Sequence, residues 1–212
     1  MTTQSKELQN YLEQQSDELQ GYLDFVQENN KPLDQLLKEY EFFELANNGD
    51  VWSKQILNKH IDPNTQITIF ELGTGIGSGT VWMSENLCLH PNSVIHSAGI
   101  DPKPGIDNYA KNRLEKYDNV VFYNEYGNAV IKRLELMYDM IYIDGTHTYL
   151  ATLNHAKILL KYLKEDGIIV FDDYEDKWPE VIQAVNEFVK MYKLKLEFIS
   201  NTQVLVKRGD NN

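Results

Sequence analysis

The stretch ITIFELGTGIGSGT (residues 67–80) decides how the rest of the chain is read. It opens as a short β-branched and aromatic run. It then sets an acid, Glu71, before three glycines at alternate positions, Gly73, Gly75 and Gly77, and a helical run, VWMSENL, follows. Glycine lets a backbone turn sharply and approach a ligand without interference from a Cβ. A strand that ends in glycine and restarts as a helix is the turn at which open α/β sheets bind ligands, beyond the carboxyl ends of their strands.

Downstream the pattern repeats. SVIHSAGI (93–100) ends at Asp101, and NVVFY (119–123), MIYI (140–143) and IIVF (168–171) are further apolar runs. Helical spacing separates them, around Tyr109 to Tyr117, over 150–163 and over 179–192. Near-continuous apolar strands alternating with helices predict an α/β fold with a mostly parallel sheet covered on both faces. The closing KLEFI and QVLVK, joined by a polar SNT break, predict a terminal antiparallel strand pair.

Upstream the chain reads as helical. Ser5, Glu7, Leu8, Gln9, Tyr11 and Leu12 recur eleven positions later as Ser16, Glu18, Leu19, Gln20, Tyr22 and Leu23. Eleven residues are close to three helical turns, so the Leu and Tyr positions form one stripe. A second helix is expected from Pro32 and a third over 51–60. The organisation expected is therefore a helical extension, 1–62, and a ligand-binding domain, 63–212. The extension would pack on the domain, act as a lid, or join a homo-oligomer.

Composition narrows the function. A chain of 212 residues with 42% hydrophobic and 25% charged residues suits one globular core with an extension. A net charge of −12 argues against a nucleic-acid partner, because phosphate backbones require clustered Lys and Arg. The single cysteine, Cys88, cannot form an intrachain disulfide. No run approaches a membrane span, and the first residues lack the apolar core of a signal peptide, so a cytoplasmic location is expected.

The glycine loop followed by an acid at the next strand end points to a nucleoside ligand, with Asp101 accepting from ribose hydroxyls. Two classes compete. A dinucleotide site shows G-x-G-x-x-G with pyrophosphate on the helix N-terminus. Here Gly73-Thr74-Gly75-Ile76-Gly77 is G-x-G-x-G, and Glu71 would oppose a pyrophosphate but suit the ammonium group of a methionine moiety.

At these residues the chain resembles the class I S-adenosylmethionine-dependent methyltransferases, whose first motif is [ED]-x-G-x-G-x-G. The resemblance runs from about Ile67 to Val206 and implies a Rossmann-like, seven-stranded sheet. It implies donor contacts at Glu71, Gly73, Thr74, Gly75 and Asp101. The adenine-contacting turn is similar to Gly127-Asn128-Ala129, with Asn128 where the family often has Asp. Two further stretches, IDGTHTY (143–149) and FDDY (171–174), resemble O-methyltransferases of sugars and other small hydroxylated compounds, including the cephalosporin hydroxylase-like and macrolide-sugar groups. That resemblance implies a divalent cation between Asp144, Asp172 and Asp173, and a general base at His147.

The chemistry of those residues agrees. Three carboxylates at adjacent strand ends repel one another unless a cation or proton lies between them. All-oxygen ligation suits Mg²⁺, with Mn²⁺ or Ca²⁺ as alternatives, and not Zn²⁺. A cation can lower a hydroxyl pKa and hold the oxygen in line with a sulfonium methyl. Against this, Asp144 and Asp173 precede helices and could simply cap them. His147 could be a surface residue at a helix start. His155 reads as structural. The expected function is divalent-metal-assisted O-methylation of a small hydroxylated acceptor. Two rivals stand beside it: an NAD(P)-binding oxidoreductase, and a donor-binding assembly module without catalysis.

Overall fold

The computed structural model describes residues 57–99, 104–200 and 202–209, with residues 104–107 described by their backbone. The helices expected within 1–56 therefore lie outside the described residues, and so does Asp101. Residues 57–62 are described. Leu57 and Ile61 are buried in the same apolar layer as Met83 and Leu87, so this end of the expected extension packs as part of the sheet domain.

The described chain runs β1 (Thr68–Leu72), α1 (Ser78–Asn86), β2 (Val94–Ala98), α2 (Pro104–Leu114), β3 (Val120–Tyr123), α3 (Gly127–Leu134) and β4 (Tyr138–Ile143). It continues with α4 (Tyr149–Leu159), a 3-10 turn (Leu160–Tyr162), β5 (Leu163–Phe171), α5 (Pro179–Tyr192), β6 (Leu194–Phe198) and β7 (Val204–Arg208). The sheet has seven strands in the order β3-β2-β1-β4-β5-β7-β6. The first five pair in parallel, and β7 runs antiparallel to both β5 and β6. This is the Rossmann-like methyltransferase order, with the antiparallel pair expected from KLEFI and QVLVK. Among the described residues no helix is long and apolar enough to cross a membrane.

Alternation along the strands feeds two apolar layers. One face presents Phe70, Leu72, Ile143 and Phe171 to helices α3, α4 and α5. The other presents Ile69, Ile95, Met140 and Val170 to Met83 and Leu87, on and just after α1. Helix α5 shows the logic locally. Pro179 sits in its first turn, where a missing N–H costs nothing. Val181, Ala184, Val185 and Phe188 form its buried stripe, and Phe188 meets Phe171 edge-on at 5.9 Å between ring centroids. Burying one such aromatic contributes roughly 2–3 kcal/mol. Lys193, at φ 54, turns the chain out of the helix.

Two boundaries differ from the sequence expectation. The helix expected to reach Leu163 ends at Leu159, and β5 begins at Leu163 instead of Ile168. A register shift between Tyr138 and Met140 takes up the extra residues. Asp139, beside the shift, accepts hydrogen bonds from the Thr68 N–H at 2.7 Å and from Lys164 Nζ. Helix α3, of 8 residues, is an additional element, and it begins at Gly127, in the Gly127-Asn128-Ala129 stretch expected only as a turn.

Two predictions follow from this packing. At Gly127 an added Cβ would collide with Leu72 Cδ1, inside the core. Gly127→Ala should therefore lower unfolding free energy by about 1–3 kcal/mol in denaturant titration; an unchanged midpoint would contradict this packing. The half-buried His155 has its ordinary pKa lowered to about 4 by burial. The unfolded chain then binds the extra proton between about pH 6.5 and 4, so stability falls as pH falls through that window. His155→Gln should remove up to about 3 kcal/mol of that fall, read from unfolding curves at pH 7 and pH 4.

Candidate active site

Register sets the site. Leu72 pairs with Ile143, and Ile143 with Phe171, so β1, β4 and β5 end in one line. The Asp144 N–H donates to the Leu72 carbonyl at 2.9 Å and the Asp172 N–H to the Ile143 carbonyl at 3.0 Å. The glycine loop, IDGTHTY and FDDY are thereby brought side by side at the carboxyl edge of the sheet.

Beneath the glycine loop lies a transverse polar row. Glu71 pairs with Ser97 on one side and Tyr142 on the other, all on the same sheet face. Glu71 is 1% exposed. Its Oε2 accepts from the hydroxyls of Thr80 and Ser97, and Thr74 Oγ1 lies 2.7 Å from Ser97 Oγ. Thr74, expected as a donor contact, thus turns its side chain into this network. The loop above needs its glycines: Gly73, Gly75 and Gly77 have φ of 110, 50 and 83. A Cβ on Gly75 would meet nothing within 4 Å, which leaves an open cradle over the loop. Arg113 Nη1 ties the far side of the loop, donating to the Ile76 carbonyl and to Ser78 Oγ.

At the opposite rim, the Gly127 N–H donates to the Gly99 carbonyl at 2.9 Å and starts α3. Asn128 follows, with its Oδ1 buried and without a hydrogen-bond partner among the described residues. A buried acceptor left in that state costs about 1–3 kcal/mol. An adenine amino group would supply the missing donor, so the residue present fits the donor nucleoside.

The acids do not converge as three. Asp144, His147 and Asp173 bring one ligand atom each within 4.8 Å of one another. His147 Nε2 lies 2.7 Å from Asp173 Oδ2. The imidazole stacks on Trp178, with centroids 3.8 Å apart and planes at 18°, and its Nδ1 is enclosed by protein. Asp172 turns away from this group. Its Oδ2 accepts from the Tyr142 hydroxyl at 2.6 Å and its Oδ1 from the Asp173 N–H at 2.9 Å. Burial first, and then the Asp173 charge, push the Asp172 carboxyl up to about 6, against these hydrogen bonds. The Tyr142 phenol is held well above its usual range by burial and by the acids around it. Among the described residues the group of three that could hold a cation is therefore Asp144, His147 and Asp173, and Asp172 is not one of them.

Sequence reasoning did not single out Ser97, Thr80, Tyr142 or Gln203. A signal was present: Ser97 and Tyr142 are polar positions one residue before the ends of β2 and β4, as Glu71 is in β1. Trp178 follows FDDY in the chain, and no motif there marks it as the stacking partner of His147.

A family described as "Methyltransferase domain" (Methyltransf_24) matches residues 70–174. An uncharacterized protein, R132, of Acanthamoeba polyphaga mimivirus is 32% identical over 136 residues, covering 58% of this chain and 59% of that protein. A phosphoethanolamine N-methyltransferase of Plasmodium falciparum is 27% identical over 181 residues, covering 80% of this chain and 64% of that protein. The chain thus spans about three fifths of the length of these curated relatives. Among solved structures, CalS11, a TDP-rhamnose 3'-O-methyltransferase of calicheamicin biosynthesis, superposes with a TM-score of 0.60 at 17% identity, covering 84% of this chain and 94% of that one.

The orphaned amide gives a direct test. Asn128→Ala should weaken S-adenosylhomocysteine binding by about 5–30-fold in calorimetry, the loss of one buried hydrogen bond. Unchanged affinity would place the base elsewhere.

Proposed function

We propose that this chain is a class I S-adenosylmethionine-dependent methyltransferase that moves a methyl group from S-adenosylmethionine to a hydroxyl of a small metabolite, with a divalent cation held by Asp144, His147 and Asp173. The observation that carries the reading is the convergence of those three side chains beside the glycine loop. The donor set fits such an ion. Two carboxylates and one imidazole move the preference from Ca²⁺ toward Mn²⁺ and its neighbours, with Mg²⁺ still accommodated.

When bound, the donor supplies a sulfonium methyl, and the cation lowers the pKa of a coordinated hydroxyl. The protein supplies position. Glu71 and its hydroxyl partners fix the glycine loop from below, and Asn128 accepts from the base. Asp144 and Asp173 fix the acceptor oxygen relative to the loop, because their strand ends are in register with it. Trp178 covers one face of His147 and keeps water from it. The base role for His147 meets a constraint. Only Nε2 can face a substrate, and accepting a proton there requires the hydrogen on Nδ1, which turns the Nε2 lone pair toward the Asp173 carboxylate. A cation held by both residues would remove that repulsion, so coordination suits this pair better than proton abstraction.

The acceptor class rests on resemblance of the acid-bearing stretches to sugar and small-molecule O-methyltransferases, and the fold neighbour acts on a sugar hydroxyl. A second reading, an amino acceptor, is favoured by the relative named a phosphoethanolamine N-methyltransferase. An amine lone pair needs no cation to become a nucleophile.

Chelation separates the two. With hydroxylated acceptors, excess chelator should abolish turnover and leave S-adenosylhomocysteine affinity within about threefold. Asp173→Asn should lower kcat by roughly 100-fold or more, again with donor binding retained. Undiminished methylation of an amine in chelator would select the second reading.

A further inference from the structure

We propose that Asp172 is a positioning residue, clamped between the Tyr142 hydroxyl and the Asp173 N–H, that holds Asp173 against His147 and does not itself bind the cation. The inference rests on the cation reading above and specifies how that site is held in shape.

Three observations meet here. Both Asp172 oxygens are already engaged inside the protein, Oδ2 by Tyr142 at 2.6 Å and Oδ1 by the Asp173 N–H at 2.9 Å. Gln203, 1% exposed, backs the clamp with its Nε2 at 3.4 Å from the Tyr142 oxygen. Asp173 is one of three non-glycine residues with positive φ among the described residues, at 58. A non-glycine residue in that region persists where its surroundings over-determine it. The Asp172 carboxylate is the side chain that fixes it, by accepting from its N–H. The chain after it is fixed as well, since the Tyr174 N–H donates to the Thr202 carbonyl at 2.8 Å. In this conformation Asp173 Oδ2 comes to 2.7 Å from His147 Nε2.

The clamp also joins the two halves of the site. Tyr142 stands in register with Glu71, and a Cβ on Gly79 would lie 3.0 Å from Glu71 Oε1 and 3.6 Å from Tyr142 Cε1. One buried polar row therefore supports the donor loop at Glu71 and, through Tyr142 and Asp172, the cation-binding pair. Swinging Asp172 over to join His147 and Asp173 would take its carboxylate away from the Tyr142 hydroxyl and the Asp173 N–H.

The test uses the whole chain and two readouts. Mn²⁺ titration by calorimetry reads ligation. The position of the His147 ring-proton signal in metal-free NMR, displaced by the Trp178 ring and assigned by its loss in His147→Gln, reads placement. Asp173→Asn should lower Mn²⁺ affinity at least 100-fold. Asp172→Asn, whose amide oxygen still accepts the Asp173 N–H, should cost less than about fivefold and keep the ring signal. Asp172→Ala should cost about 10–100-fold and shift it, the scale of a lost outer-sphere partner. Tyr142→Phe, which keeps the fold's volume, should weaken Mn²⁺ binding severalfold. Loss in Asp172→Asn equal to that in Asp173→Asn, or tighter Mn²⁺ binding in Tyr142→Phe, would make Asp172 a ligand and overturn the proposal. If the wild-type chain binds no Mn²⁺, the cation reading fails, and the ring signal alone decides: a shift in Asp172→Ala supports the clamp, and an unmoved signal overturns it.

Discussion

The structure depends on one buried carboxylate. Glu71 sits in β1, an interior strand, with 1% exposure, and a charge there is tolerated only with partners that satisfy it. Thr80 and Ser97 supply hydroxyls to one oxygen, from the following helix and from the neighbouring strand. Those partners exist only if β1, β2 and α1 keep their register and if the glycine loop folds back over the strand end. The cost of leaving the carboxylate unsatisfied thus selects the loop conformation, and the positive φ angles of Gly73, Gly75 and Gly77 make that conformation accessible.

The same row extends to the other half of the site. Parallel pairing places Tyr142 beside Glu71, and Tyr142 reaches Asp172 at the next strand end. Residues remote in sequence are aligned because parallel strands in register must end together, and each loop inherits its starting point from the strand below. Placement on rigid strand ends is what in-line methyl transfer demands, since small misplacements of reacting atoms cost large factors in rate. The proposed chemistry therefore needs no moving part among the described residues. The geometry is built in by the sheet.

Much of this was legible in the sequence, for identifiable reasons. The glycine spacing after ITIF, the strand–helix alternation and the closing strand pair announced a mostly parallel sheet with an antiparallel pair at its end, because each is a local pattern with one favoured outcome, and the seven-stranded form came from the family resemblance. The proximity of Asp144 and Asp173 was legible too, since both follow strand ends. The departure of Asp172 was not. It turns on which way a side chain points after the strand, and the Tyr142 hydroxyl that captures it is 30 residues away in sequence. Likewise the early start of β5 depends on a register shift against β4, and no propensity in LKEDG announces it. His147 as a partner of Asp173 needed the stacking surface of Trp178, which sequence offers only as an aromatic near the pocket.

The central claim, a cation at Asp144, His147 and Asp173 facing the donor loop, is tested most directly by crystals grown with S-adenosylhomocysteine and Mn²⁺ and measured for anomalous scattering. The account predicts a single strong peak within about 2–2.5 Å of the two carboxylates and of His147 Nε2, on the side facing the donor sulfur. Ordered S-adenosylhomocysteine with no anomalous peak among these three residues would contradict it.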